Sequence, residues 1–290
     1  MNNSSAPPRY SIVTGGASGL GREFCLRLAR DRCHIAVVDV DRDGADETSQ
    51  LVAKAGGNAR VELCDVAVLD AWLALRDRLQ ADWPRLDLLI NNAGRYAAGY
   101  VGALDLTEAE RLIRLNLMGV FYGCHTLVPW LVSGATGSAS ASRRSHIINV
   151  ASSFAFLCPP GMAPYNLSKA AVVALSETLH GELKPRGVGV TVVCPGPMPT
   201  RFVESASFDS PDFRQLTESY VRSSTLDPAA VAAAALGACQ RGKLYVVMGR
   251  NQRWYWRIKR LMPVTLLHRV ARRVGKDLAN IAKEQLKTEN

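Results

Sequence analysis

YSIVTGGASGLGREFCLRLARD, residues 10–31, reads as a strand, a turn and a helix in immediate succession. YSIVT (10–14) is a short β-branched run, TGGASGLG (14–21) follows it, and GLGREFCLRLARD (19–31) is amphipathic at helical spacing. Gly15, Gly19 and Gly21 let the backbone turn tightly between strand and helix. They also let a pyrophosphate approach the helix N-terminus, where free N–H groups and the dipole favour negative charge. The spacing is G-x-x-x-G-x-G, not the commoner G-x-G-x-x-G. The next apolar run, HIAVVD (34–39), closes on Asp39, 18 residues after Gly21. That is close to the offset of about 20 at which an acid accepts hydrogen bonds from the adenosine ribose. An acid there repels a 2′-phosphate, so NAD is the expected cofactor; Arg42 nearby keeps NADP as the alternative.

Outward from this unit the same alternation continues. Helix-like 45–56, strand-like RVELCD (60–65), helix-like 69–83 and strand-like LDLLIN (86–91) come next. A long helical stretch over 107–132, a strand HIINVAS (146–152), a helix over 165–185 and a strand GVTVVCPG (189–196) complete the series. Near-continuous apolar strands alternating with helices predict an α/β fold, a parallel sheet with helices on both faces. The expected organisation is a single doubly wound Rossmann-type domain over 9–250, a flexible arm at 1–8 and a C-terminal basic helical extension at 251–290. SGATGSASASRR (133–144) reads as an exposed loop. The mixed segment 200–225, placed after a strand end, reads as a lid over the substrate.

Composition narrows the class. Apolar residues make up 48% and charged residues 21% of 290, ordinary for a globular protein. No apolar run approaches a membrane span, and MNNSSAPPRY has no apolar core of a secretory signal. The seven cysteines are scattered without a C-x-x-C pair, so reduced thiols, a cytoplasmic protein and no metal site are expected. The net charge of +9 is localised: 241–276 holds eleven Lys and Arg and no acid, which leaves 24 basic against 26 acidic residues elsewhere.

YNLSK (165–169) sets a Tyr and a Lys four residues apart, on one helix face. A Lys ammonium beside a phenol stabilises the phenolate, so the pair reads equally as a proton-transfer device or as an ordinary surface pair. With NNAG (91–94), CDV (64–66) and PGPMPT (195–200) in order along the chain, the sequence resembles the short-chain dehydrogenase/reductase family over about 9–250. The resemblance is to the branch whose glycine motif is T-G-x-x-x-G-x-G.

It implies an active site of Asn116, Ser152, Tyr165 and Lys169. Ser152, rather than Ser153, has the family's spacing, three after Asn149 and 13 before Tyr165. It further implies cofactor contacts from Gly15, Ser18, Gly19, Leu20, Gly21, Asp39, Asp65, Val66, Asn92, Ala93, Gly94, Pro195, Gly196, Met198 and Thr200, besides Tyr165 and Lys169. The implied activity is NAD-dependent interconversion of a hydrophobic alcohol and its carbonyl compound. A homodimer or homotetramer through 107–132 and 165–185 is implied as well. Met198 where Val or Ile is common, the SFAF run after Ser152 and the inserted 133–144 loop depart from the pattern.

Phe154, Phe156, Leu157, Pro159, Met162, Phe202 and Phe208 are the candidate substrate-pocket residues. In the extension, Trp254, Tyr255, Trp256, Ile258 and Leu261 alternate with Arg and Lys, as in a helix lying on a membrane surface. Packing on the protein itself fits the same pattern. Pro263 is expected to end this helix, with a second over 264–287. No nucleic-acid reading module accompanies the basic patch.

Overall fold

A computed structural model describes residues 9–136, 144–199, 204, 206–249 and 251–262, with further positions between 264 and 276. The arm at 1–8, most of the 133–144 loop, and Thr200 and Phe202 lie outside the described residues.

The apolar runs become seven parallel strands: β1 (Tyr10–Thr14), β2 (His34–Asp39), β3 (Asn58–Leu63), β4 (Leu88–Asn91), β6 (Ser145–Val150), β7 (Val188–Pro195) and β9 (Tyr245–Met248). Their order is β3-β2-β1-β4-β6-β7-β9. Side chains alternate across a strand, and here both faces are covered. Ile12, Ala36, Val38 and Leu89 face one core with α3 (Leu69–Asp82), α5 (Gly119–Thr136) and α7 (Ala163–Leu183). Val13, Ile35, Val37 and Ile90 face the other with α1 (Gly19–Ala29), α2 (Arg42–Lys54) and α9 (Pro228–Gln240). Burial on both sides is why the strands read as continuous apolar runs. The expected doubly wound sheet is the one observed.

Trp72 of α3 shows how packing places the site. Its ring is fully buried, and Nε1 donates to the Val66 carbonyl at 3.0 Å. That bond fixes the turn after β3 that carries Asp65 and Val66. A Cβ on Gly123 of α5 would stand 2.7 Å from the Trp72 ring, so the helix can approach only through a glycine. Losing a buried ring of this size costs about 3–5 kcal/mol.

Several boundaries differ from the expected ones. α2 starts at Arg42 because Asp41 caps it, accepting from the Gly44 N–H at 3.1 Å. The long helical stretch divides into α4 (Leu106–Ile113), a π-helical turn (Arg114–Met118) and α5, with the Gly119 N–H reaching Arg114 O. The lid segment contains β8 (Ser207–Phe208), paired with β5 (Ala97–Ala98), and α8 (Pro211–Arg222). A short α6 (Phe154–Leu157) follows β6, and α10 (Gln252–Leu261) ends before Pro263, as expected of a proline.

One stretch is more apolar than the sequence reading allowed. Leu106–Ala135 is long and apolar enough to cross a membrane. Half of its most apolar 18-residue window is buried in the protein, where α5 packs on α3, β4 and β6.

Candidate active site

A cleft of about 1560 Å³ opens at the C-terminal ends of β1, β4 and β6. Chain direction along the sheet reverses between β1 and β4, where open α/β sheets form their binding crevice.

The glycine turn forms one wall. Gly15 and Gly19 have φ of 64° and 52°, backbone conformations that favour glycine. Gly15, Ser18, Gly19 and Leu20 line the cleft. Gly21 does not line it, contrary to expectation: a Cβ there would stand 1.9 Å from the Gly15 carbonyl oxygen, so Gly21 lets helix and turn pack together. The turn is tied to β4 by side chains. Thr14 Oγ1 accepts from the Asn92 and Ala93 N–H groups at 2.9 and 3.0 Å, and Asn92 Nδ2 donates to Thr14 O and Gly15 O.

Asp39 lies across the turn. Its carboxylate accepts from the N–H groups of Ala17, Val40 and Asp41 at 3.0, 2.8 and 3.1 Å, so it shapes both loops as well as lining the cleft. Asp41 lines the cleft beside it and Arg42 does not. Asp65, Val66, Asn92, Ala93, Gly94, Pro195, Gly196 and Met198 line it too. A Cβ on Gly94 would come within 3.0 Å of Asn116 Oδ1 and 3.4 Å of Lys169 Nζ. The glycine keeps that floor of the cleft open.

Three of the four expected active-site residues, Ser152, Tyr165 and Lys169, line the cleft together, and Asn116 is buried outside its lining. Tyr165 and Ser152 are 6% exposed and joined by a hydrogen bond; the Ser152 hydroxyl also accepts from the Phe154 N–H at 3.2 Å. Lys169 Nζ lies 5.9 Å from the Tyr165 ring centroid and donates to Val150 O at 3.0 Å. Asn116 is fully buried in the π-turn, where its side chain accepts from the Arg95 N–H and donates to Arg95 O, both at 2.9 Å, and to Ser168 Oγ at 3.3 Å. Ser153 is fully buried and does not line the cleft, whereas Ser152 does.

Burial governs the titrations. It pushes the Tyr165 phenol up to about 12, against the smaller lowering by the Ser152 hydrogen bond. It pulls the Lys169 amine down to about 8. Each charge is costly alone in this pocket and stabilised by the other.

Of the expected substrate residues, Phe154, Leu157, Pro159 and Met162 line the cleft. Phe156 packs into the core instead, and Phe208 stands behind Tyr96, with ring centroids 6.1 Å apart. The sequence reading missed Tyr96, whose ring meets Tyr165 edge-on at 5.1 Å and whose hydroxyl lies 3.4 Å from Thr217 Oγ1. It also missed Leu216, Thr217 and Tyr220 of α8, and Tyr255, Val270 and Arg273 of the extension. Among the described residues no group of His, Cys, Asp and Glu could hold a metal ion.

The comparisons with known proteins agree with this geometry. A family model described as short chain dehydrogenase matches residues 9–210. The chain is 35% identical over 199 residues to the probable oxidoreductase EphD of Mycobacterium tuberculosis, 69% of this chain but 32% of that protein, so it spans about a third of that relative's length. It is 30% identical over 277 residues to the putative oxidoreductase SadH of the same organism, covering 94% of this chain and 98% of that one. It is 31% identical over 208 residues to 3beta-hydroxysteroid dehydrogenase 1 of Eggerthella lenta, 71% of this chain and 77% of that one. Among solved structures, a short chain dehydrogenase/reductase from Burkholderia phymatum in complex with NAD superposes with a TM-score of 0.76 at 27% identity, covering 83% and 88% of the two chains. A short-chain dehydrogenase from Sphingobium yanoikuyae in complex with NADPH gives 0.72 at 25% identity, covering 89% and 95%.

Proposed function

The chain belongs to the short-chain dehydrogenase/reductase family, and on that basis we propose that it uses NAD to interconvert a hydrophobic secondary alcohol and its ketone. The observation that carries the reading is the meeting of Ser152, Tyr165 and Lys169 at the deep end of a cleft whose other end is the glycine turn and Asp39. The residues fit a dinucleotide. Gly15 and Gly19 give the turn its positive-φ backbone, a Cβ on Gly94 would crowd Asn116 and Lys169, and the N-terminus of α1 faces the cleft. NAD is favoured over NADP because Asp39 and Asp41 both line the adenosine end, where a 2′-phosphate would meet two carboxylates.

When bound, the nicotinamide supplies the site that takes up or gives the hydride. The chain's own residues handle the proton. The Ser152 hydroxyl donates to the substrate oxygen and holds it against the Tyr165 phenol. Tyr165 takes the hydroxyl proton in oxidation and returns it in reduction. Lys169, charged below about pH 8, favours the phenolate that oxidation requires. Asn116 holds the backbone of Arg95 and with it the floor at Gly94. Phe154, Leu157, Met162, Tyr96 and Tyr220 make the substrate end apolar, which supports an apolar alcohol. The similarity to a relative named for a 3beta-hydroxysteroid supports the same class.

The test is a screen of hydrophobic secondary alcohols with NAD, following reduced cofactor. Tyr165→Phe is expected to lower turnover by about 10²- to 10⁴-fold while NAD binding is kept. A variant turning over at the wild-type rate overturns the role of Tyr165.

A further inference from the structure

The extension carries a surface that this chemistry does not use. α10 is fastened to the body through one face. Gln252 is buried, Arg253 Nε donates to Val247 O at 3.0 Å, and the Arg260 guanidinium lies over the Trp256 ring at 4.0 Å and the Tyr245 ring at 5.1 Å. Arg260 also stands 3.8 Å from Glu177 of the catalytic helix α7. The opposite face has no such cover. Trp254 is 52% and Leu261 81% exposed, with Arg257 exposed between them on the same side of the helix. Met262, 51% exposed, and Val264, 62% exposed, continue the patch past the helix end. Four large apolar side chains thus stand in water within eleven residues, inside the 241–276 stretch that has eleven cations and no acid.

We propose that this face docks on an anionic phospholipid bilayer. α10 lies in the interface plane, Trp254, Leu261 and Met262 enter the acyl boundary, and Arg257 between them meets headgroup phosphates. A second copy of the chain is the poorer occupant, because the same face would bring two acid-free cationic runs together. A nucleic acid would satisfy the cations but leave Leu261, Met262 and Val264 in water. Tyr255 of this helix and Val270 and Arg273 beyond it line the substrate end of the cleft. Docking therefore brings that end beside the bilayer, from which an apolar alcohol can enter; this consequence rests on the function proposed above.

The experiment is flotation of the full chain with vesicles of phosphatidylcholine alone and of equal parts phosphatidylcholine and phosphatidylglycerol. The expected result is binding to the anionic vesicles only, released by salt at about fivefold per headgroup-engaged cation lost. Leu261→Glu, and Trp254→Glu combined with it, should lower partitioning about tenfold or more with NAD binding unchanged. That binding shows the variants fold, and it is read separately from turnover, so failure of the oxidoreductase reading leaves the vesicle result intact. Absence of flotation, equal binding to neutral vesicles, variants that float like the wild type, or binding to duplex DNA in place of vesicles overturns the proposal.

Discussion

Tyr165 and Lys169 are each held away from charge by burial, and a charge on either favours the opposite charge on the other. The phenol at about 12 and the amine at about 8 are shifted in opposite directions by the same cause. Alcohol oxidation needs the phenolate, so its rate should rise with pH to a plateau, and the position of that limb depends on the Lys169 cation. Replacing Lys169 with Met removes the cation and leaves burial unopposed. The limb should then move upward, toward the phenol's own value near 12, and the rate at neutral pH should fall by about 10²- to 10³-fold. A pH profile of reduced-cofactor formation measures this, and an unmoved limb contradicts it.

At this scale much of the site was legible. The spacing implied by the family resemblance singled out Ser152 over Ser153, and the first lines the cleft while the second is buried outside the lining. Gly21 was placed in the right motif and given the wrong task, because a motif records that a side chain is forbidden and not which neighbour forbids it. Tyr96 went unseen. Two residues past NNAG, nothing in a lone tyrosine signals a partner 69 residues away.

Among the elements, α8 shows where local reading fell short. Pro211 and the polar mixture around it read as a loop, yet proline is well suited to the first helical turn, where its missing N–H costs nothing. Phe213, Leu216, Thr217 and Tyr220 repeat at helical spacing; that signal was present and was outweighed by composition. The π-turn at Arg114–Met118 could not be read, since one extra residue in a helix leaves no composition signal. α5 and α7 also bear on association. Phe121 and Leu167 are 45% and 47% exposed on these helices, where the family resemblance implies that a second copy of the chain packs. Phe121→Glu should reduce the mass of the native particle to that of one chain in light scattering. A wild type already of single-chain mass, or a variant that stays associated, contradicts this.

For the whole molecule, the order β3-β2-β1-β4-β6-β7-β9 makes the cleft, because two loops diverge where β1 and β4 meet. The alternation of runs predicted that sheet. It did not predict that α10 and the positions beyond it would supply part of the wall, since contact between a C-terminal extension and a cleft leaves no local pattern. Charge divides along the same line, with a near-neutral body and a cationic extension.

The central claim is that the cleft is an NAD site selected by Asp39, and calorimetric titration with NAD and NADP tests it without knowledge of the substrate. Asp39→Asn is the informative variant, because Ala at this position would also release the N–H groups of Ala17, Val40 and Asp41. The wild type should bind NAD about tenfold or more tighter than NADP, and the variant should narrow that ratio. Tighter binding of NADP by the wild type, or no binding of either, contradicts the account.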